Sequence, residues 1–367
     1  MLSKRDFMLP LIFFLLFPGY LLVSTPALEY QELVSWMNTN RAYVSPKFQP
    51  IENDLSNRYV ITNQRIEKKE EILFVPSKIV IAIINLIVSP TCQKKLGASD
   101  DEDFNCVLYF MLLDKKNPNS FFKPYYNYLP TFHLDEWPIN FSNSQIEKYK
   151  ITEIGDEIYR GRNYLLNSFE ALSHLLPGSM TNEEFQETFM QVATRNFGRR
   201  GSMFPEINSM VPYLDLFNHV NDYNTYYYYN DKRDGFVLFS RRTIEPGEEI
   251  TVSYGKMENL HLYNVYGFTL KNNKYKISVH IKVMGHIYSL SGGTIRDEEI
   301  IQIMNRTKER NKVTELDAFK QIKKVLVLRK MEYNKISTNN INMLNIINEQ
   351  RETIVKYIEI VDKYLNL

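Results

Sequence analysis

The runs of this chain that favour strands fall in two groups, held apart by a long stretch of helical pattern. The first group is Tyr59-Val60-Ile61-Thr62 and Glu71-Ile72-Leu73-Phe74-Val75, closed by Pro76. Both runs are β-branched or aromatic and bounded by charge. In the second group, Tyr226 to Tyr229 and Phe236 to Phe239 flank Asp234-Gly235 and read as a hairpin, with a connection longer than a two-residue turn. The tyrosine run is expected to send two rings inward and two outward. Pro246-Gly247 then signals a type II turn leading into the alternating run Glu249 to Tyr254.

Between the groups, Ser144-Gln145-Ile146-Glu147 has a capping-box pattern, and Ile146, Ile154, Ile158, Leu165, Phe169 and Leu172 keep to one helical face. Thr181-Asn182-Glu183-Glu184 starts another helix, with Phe185, Phe189 and Val192 on one side. The apolar run from Ile79 to Val88 fits a buried helix or strand equally. Past about residue 290 the pattern is helical again. Thr314-Glu315-Leu316-Asp317 opens one helix, and Leu344, Ile347, Ile354, Ile358, Val361 and Leu365 line the last. Strands split by a helical insertion and followed by a helical tail define an α+β fold without βαβ alternation. No G-x-G-x-x-G or G-x-x-x-x-G-K-[ST] occurs, which argues against a Rossmann or P-loop site.

A formal charge of +1 gives no basic field, so nucleic acid is not expected as the main partner. The two cysteines, Cys92 and Cys106, cannot build a cysteine zinc site, and two buried thiols are expected rather than a disulfide. Lys4 and Arg5 precede an apolar run from Phe7 to Val23 and then small residues to Ala27. That order reads as a signal peptide or signal-anchor over residues 1–27, the only segment expected to touch a membrane. It points to secretory entry or anchoring.

Chemistry concentrates in two segments. Val211-Pro212-Tyr213-Leu214-Asp215-Leu216-Phe217-Asn218-His219 sets Asp, Asn and His among apolar residues, where polar groups must find partners internally or on a ligand. Asp215 and His219, four apart, could also share a metal with nearby Asp222, but a third ligand is not convincing and no metal is expected. The second segment, Glu245-Pro246-Gly247-Glu248-Glu249-Ile250-Thr251-Val252-Ser253-Tyr254-Gly255, delivers Tyr254 to a strand end. His133, His174, His261, His280 and His286 are scattered without ligand spacing and read as surface or core residues.

Together these segments resemble the SET-domain protein methyltransferases, in the subgroup of Rubisco-lysine and actin-histidine methyltransferases. Three further stretches are similar to that subgroup: Pro118 to Tyr125 leading to Leu129-Pro130, Ala193-Thr194-Arg195, and Tyr266-Gly267-Phe268. The resemblance spans roughly residues 57 to 270. It implies a SET β-fold over 28–270 with a helical insertion at about 81–192, and a helical substrate-binding-like domain over 271–367. It further implies S-adenosylmethionine as cofactor, held near Arg195, Asp215, Asn218, His219, Tyr266, Gly267 and Phe268, and Tyr254 as the catalytic residue. Tyr254 and Phe197 would line the acceptor channel. An aromatic residue at 197 favours lysine of a protein substrate, with histidine as the alternative acceptor, and the enzyme is expected to work as a monomer. One departure stands out. Where the subgroup opens its first strand pair with a Gly-x-Gly turn, this chain has Asn57-Arg58-Tyr59, and Tyr is a poor residue for left-handed backbone. The departure leaves open a weakened enzyme or a SET-derived protein-binding module.

Overall fold

The computed structural model describes residues 28–52, 58–82, 102–150, 152–198 and 208–366. The expected leader over 1–27, most of the Ile79–Val88 run, Asn57 and Cys92 lie outside the described residues. Cys106 is buried and disulfide-bonded, so the free thiol expected there is corrected.

Strands β1 (Tyr43–Val44), β2 (Phe48–Glu52), β3 (Arg58–Thr62), β4 (Glu71–Pro76) and β5 (Ile81–Ala82) come first. The insertion follows, with helices Glu102–Asp114, Glu153–Ser173 and Asn182–Arg195 as its main elements. Strands return as β6 (Asn196–Phe197), β7 (Ser209–Met210), β8 (Asn218–His219), β9 (Thr225–Asn230), β10 (Gly235–Ser240) and β11 (Thr251–Val252). The two strand groups meet in one four-stranded sheet, ordered β1-β4-β10-β9. There β4 and β10 run antiparallel, with Phe74 opposite Val237 and Leu73 opposite Leu238. These strands are central, and their continuous apolar runs fit burial on both faces. Ile72, Leu73, Val75, Val237 and Leu238 are each 1% exposed or less, and burial of each stabilises by about 1.5–3 kcal/mol. The β9–β10 hairpin has the expected alternation: Tyr227 and Tyr229 are buried, whereas Tyr226 is exposed and Tyr228 half-buried.

The strands of the first group do not pair with each other. β3 pairs with β2, a strand the sequence pattern did not reveal, and β4 with β1 and β10. The Glu249–Tyr254 run is strand only at Thr251–Val252, where it pairs in parallel with the two residues of β8; toward β3 it makes an isolated bridge, Glu249 with Ile61. Local corrections apply to the helices. The expected capping box sits at Ser142, whose extended backbone makes it the cap. Its hydroxyl accepts the Gln145 amide at 3.3 Å, and the Gln145 side chain returns the bond at 2.7 Å. That helix is short (Asn143–Glu147), and a second, Glu153–Ser173, carries Ile154, Ile158, Leu165 and Leu172. The box at Thr181 and Glu184 forms as expected.

After helix Asn259–Tyr266 comes a hairpin of β12 (Val279–Val283) and β13 (His286–Leu290), turned by Met284 and Gly285 at positive φ. Helices Asp297–Asn311, Glu315–Lys335 and Ile341–Leu365 complete the chain. In the last helix Ile347, Ile354 and Val361 are buried as expected, while Leu344 is 37% exposed. Apolar residues form two clusters. One is built from the strands and insertion, the other from the C-terminal elements. Helix Glu153–Ser173 joins them, with Ile154 and Ile158 in the second and Leu165 and Leu172 in the first.

Glu153, at the start of that helix, is 5% exposed. Its carboxylate accepts the His280 amide at 2.7 Å, Arg329 at 3.0 Å, Gln350 at 3.2 Å and the Tyr333 hydroxyl. Burial alone would raise its pKa. The donors outweigh it and hold the group down at about 2. A depressed carboxylate stabilises the fold above its unfolded pKa near 4.5 and loses that contribution as pH falls through about 2. Glu153→Ala strips Arg329 of its buried partner and is expected to cost about 3–5 kcal/mol. Thermal melting at pH 7 checks this; an unchanged midpoint would show that the cluster adds nothing.

Candidate active site

The Val211–His219 segment leaves β7 through a contorted turn. Tyr213 has φ 70° and ψ −38°, a left-handed conformation that aromatic residues resist. Burial holds it: the ring is 0% exposed, packs against Phe48 and Phe217, and its hydroxyl lies 2.9 Å from that of Tyr30. A 3-10 turn over Leu214–Leu216 follows and sets the Asp215 carboxylate inside the protein. Its Oδ2 accepts the Tyr125 hydroxyl at 3.0 Å, with Arg195 3.5 Å away. Arg195 makes its shorter bond, 2.6 Å, to the Asp215 main-chain oxygen. Burial outweighs these partners and raises the Asp215 pKa.

β8 then runs parallel to β11, setting Asn218 beside Thr251 and His219 beside Val252. The Asn218 amide donates to the Arg58 carbonyl at 3.0 Å and to Glu249 Oε1 at 2.9 Å. His219 Nδ1 lies 3.2 Å from the Tyr254 amide and 3.4 Å from the Val252 carbonyl. A main-chain N–H can only donate, so Nδ1 is the acceptor and the ring proton sits on Nε2. Burial lowers the His219 pKa, keeping the ring neutral. Tyr254 stacks on that ring at 5.2 Å and donates its hydroxyl to the Phe217 carbonyl at 3.0 Å. Its other neighbour is Tyr266, 4.9 Å between ring centres. Burial raises both phenols, Tyr266 to about 12, so both stay protonated at neutral pH.

Tyr266 ends helix Asn259–Tyr266, and Gly267 caps it at φ 78°. A Cβ at Gly267 would lie 3.2 Å from the Trp137 ring, so both backbone and space call for glycine. These groups surround a cleft of about 700 Å³. Arg195, Asp215, Asn218, His219, Tyr254, Tyr266, Gly267 and Phe268 all line it. Phe197 does not. It is 6% exposed in the core with its ring edge-on to Tyr227, on β6, which pairs with β7. Asp222 is exposed and paired with Lys274, and among the described residues no three His, Cys, Asp or Glu gather as a metal-binding group. His261 and His280 pair with Glu157 and Glu153, whereas His133 reaches the cleft wall.

The sequence pattern missed Arg58, Glu249 and Trp137 on the wall, and Tyr125 beneath it. Arg58 stands within the departure Asn57-Arg58-Tyr59. Arg58 and Tyr59 are in β3 with no positive φ, so no left-handed turn is demanded of Tyr59. Tyr125 and Tyr128 come from the Pro118–Pro130 stretch: one bonds Asp215, and the main chain of the other accepts Arg58 at 2.8 Å.

The histidine geometry is open to measurement. His219 is expected to titrate below 6.5 and to show the Nε2–H tautomer in ¹⁵N NMR. With its folded pKa depressed, it stabilises the fold above the unfolded value and loses that contribution as pH falls. A protonated ring at pH 6.5, or an Nδ1–H tautomer, would overturn the assignment.

Comparisons with known proteins fit this geometry. The SET domain family model matches residues 57–255. An actin-histidine N-methyltransferase of Gallus gallus is 25% identical over 289 residues, covering 71% of this chain and 46% of that protein. SET domain-containing protein 4 of Artemia parthenogenetica is 20% identical over 254 residues, covering 66% and 63%. The chain thus spans about half the length of the curated relatives it matches. Among solved structures, Rubisco LSMT bound to sinefungin and monomethyllysine aligns with a TM-score of 0.67 at 14% identity, over 93% of this chain and 92% of that one. Rubisco LSMT bound to AdoMet aligns at 0.65 and 15%, over 92% of each. With the family match running from the β3 edge to the Tyr254 strand end, and the fold shared over nearly the whole chain, this protein belongs to the SET-domain family.

Proposed function

We propose that this chain is an S-adenosylmethionine-dependent protein methyltransferase acting on a side-chain nitrogen, with lysine as the acceptor. One observation carries the reading. Among the described residues His219 Nε2, Asp215 Oδ1 and Arg195 Nε are buried without a hydrogen-bond partner, and all three residues line the cleft beside Tyr254. Buried polar atoms left unpaired cost about 1–3 kcal/mol each, so donors and an acceptor gathered on one wall fit a polar ligand. That set suits a nucleoside carrying an amino acid. When bound, S-adenosylmethionine supplies an electrophilic methyl group on a sulfonium.

The residues divide the work. His219 and Arg195 donate from the wall, and Asp215 offers an acceptor. Asn218 has both amide hydrogens committed to Arg58 and Glu249, so its side chain ties the wall together. Tyr266, Gly267 and Phe268 complete the lining, with Tyr266 against Tyr254. The Tyr254 hydroxyl, held by Phe217, keeps its lone pairs free to align an incoming amine. Neither phenol ionises at neutral pH, so neither removes a proton. The amine must arrive neutral, and a desolvating aromatic channel lowers a lysine pKa in that direction. Catalysis is then chiefly positioning.

Residues 28–270 form the catalytic unit in this reading, and 271–367 a substrate-binding-like unit. In this reading the enzyme works as a monomer. The histidine reading is favoured by the names of the actin-histidine N-methyltransferase relatives. Amino-acid analysis of proteins methylated with labelled cofactor separates methyl-lysine from methylhistidine. Tyr254→Phe keeps the ring and loses the hydroxyl. It is expected to hold cofactor affinity within a few-fold while lowering the transfer rate about a hundredfold or more. Calorimetry and labelled transfer give the two readouts. Well-folded protein that binds no S-adenosylmethionine would sink the enzyme reading and leave a partner-binding module.

A further inference from the structure

We infer that the Arg58 side chain binds the carboxylate of the cofactor's amino-acid end, a role resting on the reading of the cleft as an S-adenosylmethionine site. Arg58 is pinned at several points. Its main chain pairs with Glu52 across the β2–β3 hairpin, its carbonyl accepts the Asn218 amide, and Nη1 donates to the Tyr128 carbonyl at 2.8 Å. The guanidinium also lies over the Tyr128 ring, 4.3 Å from its centre. The head group is therefore held in place against the cleft before any ligand arrives, and little freedom remains to be lost on binding.

Most of its hydrogens are still available. A guanidinium has five N–H donors, and among the described residues only the bond to Tyr128 is made. Glu52 is 3.7 Å away on a side chain that is 50% exposed, too long for a hydrogen bond and weakly held. Arg195 is differently placed, since its Nη1 is spent on the Asp215 main chain.

Charge points the same way. The ionisable lining groups of fixed sign are Arg58 and Arg195 against Glu52, Asp215 and Glu249, giving 2 − 3 = −1 with every carboxyl ionised. S-adenosylmethionine carries a sulfonium, an ammonium and one carboxylate, so its net charge complements the cleft. Its single anion needs a cation, and of the two guanidiniums Arg58 has fewer of its donors engaged, one hydrogen bond against the two that Arg195 makes to Asp215. A planar fork meets a carboxylate with two parallel bonds, which a lysine cannot reproduce.

The test compares S-adenosylmethionine with 5′-deoxy-5′-methylthioadenosine, which keeps the adenosine and sulfur and lacks the amino-acid end. Calorimetry on the full chain would give both affinities for wild type, Arg58→Ala and Arg58→Lys. The expected result for Arg58→Ala is a loss of about tenfold or more for S-adenosylmethionine, with the thioadenosine unchanged. Arg58→Lys should fall between. Equal weakening of both ligands would make Arg58 a structural residue and overturn the inference, as would unchanged binding of both. Wild type that binds neither ligand would instead remove the cofactor reading on which the inference stands.

Discussion

The site depends on one stretch of main chain, residues 248–252, being bonded on both sides. On one side the Ile250 amide reaches the Val60 carbonyl at 2.8 Å, and the Thr62 amide reaches Glu248 at 3.1 Å, which ties the stretch to β3. On the other, Thr251 and Val252 pair in parallel with Asn218 and His219. The Asn218 side chain then bonds to both neighbours at once, through Arg58 and Glu249. Segments about 160 residues apart,, are thereby fixed to a common register. Parallel pairing of so few residues is weak on its own, so the amide clasp and the surrounding core must hold it. Tyr254 lies two residues beyond that pairing, which makes its position a product of the clasp.

Within this frame burial drives the ionisable groups toward neutrality. It raises Asp215, Tyr254 and Tyr266 and lowers His219. A site of neutral donors and acceptors suits chemistry that moves an alkyl group, and suits general base catalysis poorly. The guanidiniums of Arg195 and Arg58 and the carboxylates of Glu52 and Glu249 also line the cleft, and Arg195 lies 3.5 Å from Asp215.

What the sequence revealed follows the range of the forces involved. The β9–β10 hairpin and the Thr181 cap could be read because alternation and capping are local. Asp215, Asn218, His219 and Tyr254 could be picked out as polar groups in apolar company, although their mutual geometry could not. The hairpin of β12 and β13 had a readable signal, Val279, Ile281 and Val283 alternating before Met284-Gly285, which the helical pattern downstream obscured. Arg58 and Glu249 lie inside segments that the sequence pattern marks out, but their place on the wall depends on β3 and the 248–252 stretch meeting; Trp137, between two 3-10 turns, carries no pattern. The surroundings of Phe197 were hidden for a related reason: in a two-residue strand, the face a side chain takes is set by partners and not by its own alternation.

The C-terminal elements are joined to the cleft more firmly than a separate helical tail would be. Leu260 and Tyr263, on the helix that ends in Tyr266, belong to the second apolar cluster. The loop after that helix is bound by the last one: Asn342 donates to the Gly267 carbonyl at 3.1 Å and accepts the Thr269 amide at 3.1 Å. Glu349 bonds Asn259, which in turn accepts the Leu270 amide. Gly267, Phe268 and Leu270 face the cleft, so the helix Ile341–Leu365 fixes one of its walls from behind. Any partner that shifts this helix must move the Gly267–Leu270 loop with it or break buried hydrogen bonds. Events at the C-terminal surface are thereby coupled to the cleft by direct contact, without a relay through the sheet.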